Sequence, residues 1–222
     1  MSPRKAVIFG VSGQTGSFLA KELVARGYFV TGFSRQPTAE NAWRLSRQGI
    51  LEEVKLLDQS SLTVHSFSEF LVSDRPDEIY YLGGQSSVGR SFMNPSETFQ
   101  SIVPSVLNIL EGIRVSGIIT KFLNSVSTEM FGDLPGAIFN EQSEMKPVSP
   151  YGVAKLASYW LTRNFRDVYG FDAINVILTN HESPLRGSDF VTSKIVRQIR
   201  QVACGERTHI ELGNVEVVRD WL

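Results

Sequence analysis

Tyr151 and Lys155 stand four residues apart in the stretch Pro147-Val148-Ser149-Pro150-Tyr151-Gly152-Val153-Ala154-Lys155. Ser149 suits an N-cap and Pro150 a first helical position. The pair therefore falls at the start of a helix and, at i, i+4, on one face of it. A phenol beside an ammonium can transfer protons. Bringing a tyrosine from about 10 to about 7 takes ~3 pKa units, or ~4 kcal/mol, and a neighbouring cation supplies much of that. Alone, such a pair is most often two neighbours on a helix surface. Its weight depends on what the chain sets around it.

Upstream lies Asn124-Ser125-Val126-Ser127-Thr128-Glu129-Met130-Phe131-Gly132, which begins inside an apolar strand-like run. The end of such a strand lies at the carboxyl edge of a parallel sheet, where ligands bind in open α/β folds. The Ser127 hydroxyl there, facing the Tyr/Lys helix, completes a hydride-transfer site. Near the N-terminus, Gly10-Val11-Ser12-Gly13-Gln14-Thr15-Gly16 separates the first apolar run from the first helical pattern. In that context the glycines allow a tight turn, a close backbone approach to a pyrophosphate and close helix–strand packing. The helix N-terminus adds N–H groups and a positive dipole end. Dinucleotide binding follows, with Gly10, Gly13, Gln14, Thr15 and Gly16 as its residues.

The end of the second strand, Gly32-Phe33-Ser34-Arg35, bears on which dinucleotide is bound. NAD sites usually place a carboxylate there for the ribose 2′-hydroxyl. None is present. Arg35, with Ser34 as a hydrogen-bond partner, can meet a 2′-phosphate, so NADP is expected rather than NAD. Asp58, at the end of the third strand, suits either an adenine contact or a helix N-cap.

These residues need a scaffold, and the hydropathy pattern supplies one. Strands are expected at 6–9, 28–33, 54–57, 78–82, 121–126 and 173–178. Helical patterns lie at 15–26, 61–72, 95–115 and 150–168. Strand–helix alternation of this kind argues for an α/β fold with a doubly wound parallel sheet. Residues 36–40 and 132–147 read as loops, the second long enough for a lid. After Pro184 the rhythm loosens, which suggests a small appended region. The expected division is 1–180 for the nucleotide-binding domain and 181–222 for a substrate region.

Bulk composition narrows the partners. Hydrophobic residues make up 42% and charged residues 20% of the 222, as in a globular protein. A net charge of -1 argues against nucleic acid or an anionic membrane surface as the partner. The single cysteine, Cys204, forms no intrachain disulfide and suggests a cytoplasmic protein. No apolar run approaches the ~20 residues that span a bilayer, and the apolar stretch after Met1-Ser2-Pro3-Arg4-Lys5 is too short for a signal peptide. The chain closes on Val215-Glu216-Val217-Val218-Arg219-Asp220-Trp221-Leu222, an apolar segment without a polar tail, and this reads as a fragment or an incomplete substrate region.

The glycine turn, Ser127, Tyr151 and Lys155 together resemble the extended short-chain dehydrogenase/reductases that act on nucleotide sugars. Within them the chain is similar to the GDP-mannose 4,6-dehydratase family, from about Lys5 to Leu222. That likeness rests on Gly13-Gln14-Thr15-Gly16-Ser17, Leu82-Gly83-Gly84-Gln85-Ser86-Ser87-Val88, Ser127-Thr128-Glu129, Ser149 to Lys155, Asn180-His181-Glu182-Ser183-Pro184 and Arg219-Asp220-Trp221. The Asn180 to Pro184 block, followed by Phe190-Val191-Thr192 and Lys194, is the most specific part.

The resemblance implies a Rossmann-type fold with NADP contacts at Leu82, Gly83, Gln85, Tyr151 and Lys155. It further implies GDP-mannose or a related nucleotide sugar held by Ser86, Asn180, Val191, Lys194 and Arg219, and a homodimer. By resemblance Tyr151, held ionised by Lys155, takes the C4 hydroxyl proton as hydride passes to NADP. Glu129 then removes the C5 proton as C6 loses water, with Ser127 assisting, and hydride returns to C6. Glu129 separates this dehydration from simple reduction or epimerisation, and Thr128-Glu129 follows the GDP-mannose pattern. The rivals are a GDP-sugar 4-reductase or epimerase and a non-catalytic NADP-binding regulator.

Three departures stand out. Leu185 replaces an arginine, Gly83-Gly84 replaces a more alanine-like pair, and the stretch after the second strand lacks the family's Arg-Arg-Ser pair. Family tetramers use that last region, so the departure weighs against a tetramer. A chain ending at Leu222 is also expected to bind substrate poorly. No metal site is expected, since His65 and His209 have no ligand-like neighbours in sequence.

Overall fold

A computed structural model describes residues 3–133, 138–216 and 220–221. Chain contacts divide it into two compact units, Met1–Leu178 and Thr179–Leu222.

The first unit is built on six strands: β1 (Lys5–Phe9), β2 (Phe29–Ser34), β3 (Val54–Asp58), β4 (Glu78–Tyr81), β5 (Lys121–Ser127) and β6 (Asp172–Leu178). They form one sheet in the order β3-β2-β1-β4-β5-β6. All five pairings are parallel. Helices α1 (Gln14–Ala25), α2 (Trp43–Arg47), α3 (Val64–Asp74), α4 (Val88–Met93), α5 (Pro95–Ser116) and α6 (Pro150–Tyr169) complete the unit.

Strand alternation explains why both faces are covered. On β1, Val7 and Phe9 enter one core with Phe67 of α3, Ile109 of α5 and Phe165 of α6. Ala6 and Ile8 enter the other with Ala20 of α1 and Leu45 of α2. Reversal of strand order between β1 and β4 opens a crevice at the carboxyl edge, the ligand position of doubly wound sheets. β5 runs one residue further than the apolar pattern suggests, so Ser127 is its last residue.

Helix α6 is tied to the sheet by a buried polar network. Asn124 Nδ2 lies within hydrogen-bonding distance of the Ser158 carbonyl (3.2 Å), Thr162 Oγ1 (3.1 Å) and Asn175 Oδ1 (2.9 Å). The Ser158 and Thr162 hydroxyls donate to the helix carbonyls of Lys155 and Ser158. They are thereby acceptors toward Asn124, which fixes the face of the amide that meets them. One strand residue thus sets the depth of the helix carrying Tyr151 and Lys155.

Three helices were not visible in the sequence, the six-residue α4 among them. α2 has five residues and no side-chain N-cap. The second unit contains α7 (Val191–Ala203), also without a side-chain cap. Its apolar positions Val191, Ile195 and Ile199 recur at helical spacing, but the flanking turn-rich sequence obscures the repeat. Within this unit Asn180 pairs with Trp221 in a parallel bridge, and Glu211 is bonded to Gln198 through its backbone N–H at 2.7 Å. Among the described residues, no helix is long and apolar enough to cross a membrane.

Candidate active site

At the start of α6, Ser149 Oγ accepts the Gly152 N–H at 3.0 Å and Pro150 occupies the first turn. This cap fixes where the helix begins. Tyr151 is 8% exposed and Lys155 only 4%. Lys155 Nζ donates to the Ser125 carbonyl at 2.8 Å and stands 5.8 Å from the centre of the Tyr151 ring. The pair is therefore a built feature that strand β5 holds in place, not two surface neighbours.

Burial pulls the Lys155 ammonium from its ordinary 10.5 down to about 8. It stays largely charged at neutral pH and can favour an ionised phenol beside it. Tyr81, the other buried tyrosine near this edge, donates to the Ser101 carbonyl at 2.9 Å, and burial pushes its phenol up. That environment keeps Tyr81 neutral and leaves Tyr151 as the tyrosine suited to proton transfer.

The Lys155 shift has a measurable consequence. The folded chain releases this proton near pH 8 and the unfolded chain near 10.5. Between those values the unfolded chain holds more protons, so this lysine favours folding increasingly as pH rises. Below about pH 8 both forms are protonated and the burial penalty is constant, at about 3 kcal/mol. Lys155→Met should thus raise stability most below pH 8, and its advantage should shrink from pH 8 to 10.5. Thermal melts of both proteins across that range check this, and a difference independent of pH would contradict it.

Ser127 ends β5, and its hydroxyl accepts the Glu129 N–H at 3.3 Å. That bond opens a 3-10 turn, Thr128–Met130, which carries Glu129. The turn lies against α6 where the helix has no side chain. A Cβ on Gly152 would come within 2.5 Å of the Glu129 carbonyl oxygen and 3.0 Å of Pro147 Cβ. Gly152 is required here for close approach, and it is what brings the Ser127–Glu129 turn beside Tyr151. Gly152→Ala should cost about 1–3 kcal/mol of stability and reduce activity well beyond the loss of folded protein. Urea denaturation and specific activity of the folded fraction measure the two effects. Unchanged activity would show that the close approach is not needed.

The glycine turn follows β1 as the sequence implies. Gly10 has φ 79 and its N–H donates to the Phe33 carbonyl at 3.1 Å. Gly13 is the N-cap of α1, whose first turn has no acidic residue. A Cβ on Gly16 would strike the Gly10 carbonyl oxygen. The turn is folded against its helix as a pyrophosphate cradle demands. These residues fit a dinucleotide.

At the ribose end, the end of β2 meets the glycine turn. Ser34 Oγ lies 3.2 Å from Ser12 Oγ. Arg44 of α2, which the sequence reading did not single out, donates from Nη1 to the Ser12 carbonyl at 3.1 Å. Arg35 is exposed. Asp58 accepts both the Ser60 N–H and the Ser60 hydroxyl at 2.8 Å, and these bonds lower its pKa. It acts as a turn cap.

After β4, the Leu82 N–H continues the pairing to the Phe9 carbonyl at 3.0 Å, and Gly83 follows it at the crevice. Gln85 is buried. Its side-chain amide donates to the Ser87 carbonyl (2.9 Å) and Thr98 Oγ1 (3.0 Å), and its oxygen accepts the Ser87 N–H. It shapes the loop that leaves Ser86 exposed.

In the second unit, Val191 and Lys194 share the first turn of α7, and Asn180 is fixed by its bridge to Trp221. Arg219 lies outside the described residues, as do residues 134–137 of the long loop. Leu185, standing where an arginine is expected, is buried. The neighbouring Arg186 pairs with Glu182 at 3.0 Å and lies 3.5 Å from the Phe190 ring centre. Glu182 also accepts the Thr192 hydroxyl, so the block before α7 is bound to it. Among the described residues no His/Cys/Asp/Glu cluster could hold a metal ion.

Sheet order, glycine turn and buried Tyr/Lys pair define a Rossmann-type fold of the short-chain dehydrogenase/reductase class. A family model described as GDP-mannose 4,6 dehydratase matches residues 7–222, and the chain belongs to that family. It is 41% identical to GDP-mannose 4,6-dehydratase sdnI of Sordaria araneosa, over 99% of this chain and 40% of that protein. It is 39% identical to GDP-mannose 4,6-dehydratase of Vibrio cholerae, over 98% and 60%. The chain thus spans less than two thirds of the length of these relatives. A solved double mutant of dTDP-glucose 4,6-dehydratase from Streptomyces venezuelae, with NAD bound, superposes with TM-score 0.81 at 19% identity, over 98% of this chain and 67% of that one. At that identity the likeness establishes the fold.

Proposed function

We propose that this chain carries the dinucleotide site and catalytic groups of a GDP-mannose 4,6-dehydratase, with NADP as cofactor and GDP-mannose as substrate. The observation that carries the reading is the packing of the Ser127–Glu129 turn on Gly152, beside the buried Tyr151/Lys155 pair. Reductases and epimerases need the pair alone, whereas dehydration needs a further base.

The nicotinamide, when bound, supplies the acceptor and donor of hydride between C4 and C6. Tyr151 takes the C4 hydroxyl proton, helped by the Lys155 ammonium. The carbonyl formed at C4 acidifies the C5 proton. Glu129 removes that proton and passes it to the departing C6 hydroxyl, which leaves as water, and Ser127 hydrogen-bonds to the sugar. Asn180, Val191, Lys194 and Arg219 are assigned to the nucleotide sugar, the two cations offering charge-assisted donors to its diphosphate.

Incubation with excess GDP-mannose and NADP, followed by chromatography of the sugar nucleotide, tests the reading. A 4-keto-6-deoxy product is expected. No such product, with turnover of a sugar already oxidised at C4, would overturn it in favour of a reductase.

A further inference from the structure

We propose that Tyr81 is a positioning residue of the active site. Its ring and hydroxyl fix loop 82–85, at the crevice, against the part of α5 that packs on Tyr151. The inference rests on the proposed dinucleotide site, to which Leu82, Gly83 and Gln85 are assigned.

Tyr81 ends β4, paired with Phe9 of β1 and Asn124 of β5, and is fully buried. Its phenol donates to the Ser101 carbonyl of α5 at 2.9 Å. Ser101 meets the loop a second time, because its hydroxyl accepts the Gln85 N–H at 3.1 Å. That hydroxyl gives its own proton to the Thr98 carbonyl, so it can only accept from Gln85. The loop is thus hooked at both ends to one helix residue.

Between the hooks lie Gly83 and Gly84. A Cβ on Gly83 would stand 3.2 Å from Tyr81 Cε2, inside the ~3.5–4.0 Å at which carbon atoms settle. A Cβ on Gly84 would stand 2.7 Å from Ile102 Cγ1, and the φ of 96 at Gly84 suits glycine alone. The Tyr81 ring and Ile102 therefore occupy the methyl space of the pair that the resemblance makes more alanine-like. Ile102 carries the coupling onward, since it is fully buried in a cluster with Tyr151 and Ala154. The loop assigned to the dinucleotide and the tyrosine assigned to proton transfer rest on adjacent α5 residues, and Tyr81 ties the sheet to them.

Calorimetric titration of the full chain with NADP tests this, alongside thermal melts and, at saturating NADP, kcat and KM for GDP-mannose. Tyr81→Phe keeps the ring and leaves no orphan acceptor, because the Ser101 carbonyl still receives the Ser105 hydroxyl. It should weaken NADP binding about 2- to 10-fold, the usual worth of one hydrogen bond, and lower kcat with KM unchanged. Gly83→Ala should weaken NADP binding about 5- to 100-fold through overpacking. Tyr81→Leu vacates the ring position, so adding Gly83→Ala to it should cost less than about twofold more. A Tyr81→Phe protein with a lower melting temperature but wild-type affinity and kcat would make Tyr81 a packing residue and overturn the inference. So would a Gly83→Ala penalty of equal size with and without Tyr81→Leu. If Tyr81→Leu does not fold, the Tyr81→Phe result decides alone. Failure of wild type to bind NADP or NAD would overturn the parent reading as well.

Discussion

Tyr151→Phe is expected to lower turnover of GDP-mannose by about 10²–10⁴-fold, the usual worth of a positioned acid–base group. Dinucleotide binding should change far less. The substitution removes one oxygen from a ring that is already buried, so fold and packing are preserved. Replacement by another tyrosine is not available, because the Tyr81 phenol is engaged with Ser101 and held neutral by burial. The loss should appear in kcat, with little change in KM, since the proton is transferred in the chemical step. A variant within tenfold of wild type would remove Tyr151 from the proposed chemistry.

Glu129→Gln is the second substitution with a large expected effect. It keeps the volume and hydrogen-bonding reach of the side chain and removes its capacity to take a proton. Formation of dehydrated product should fall by about 10²–10⁴-fold. The backbone contacts of the turn, Ser127 Oγ to the Glu129 N–H and the Glu129 carbonyl against Gly152, do not depend on the side chain. Stability and NADP affinity should stay near wild type. Glu129→Asp should recover part of the activity, because it restores a carboxylate one bond shorter. Equal impairment of folding and catalysis would instead make Glu129 a structural residue.

Much of the fold was legible because alternating strands and long amphipathic helices repeat a strong signal. The six apolar runs map onto six parallel strands, and the switch in strand order lies where the glycine turn and Ser127 meet the carboxyl edge. The cap at Ser149 and Pro150 was legible for a local reason, since capping depends on a few adjacent residues. What stayed hidden depended on tertiary packing. α2 is too short to show periodicity, so Arg44 passed unnoticed although it reaches Ser12 across 32 positions. Strand alternation puts consecutive residues on opposite faces, with Phe33 stacked on Phe9 on one side and Ser34 beside Ser12 on the other. The role of Asn124 in seating α6 also required the sheet, because Ser158, Thr162 and Asn175 lie 34 to 51 positions away.

The Tyr151/Lys155 pair and Glu129 together make the central claim, that oxidation at C4 and loss of water across C5 and C6 occur in one site. The most direct measurement is mass spectrometry of the sugar nucleotide after excess GDP-mannose and NADP are incubated with wild type and Glu129→Gln in parallel. The account predicts a product lighter by one water from wild type and none from the variant, although the variant still binds NADP. A wild-type product of unchanged mass, as an epimerase gives, or a Glu129→Gln protein that forms the dehydrated product at the wild-type rate, would contradict it.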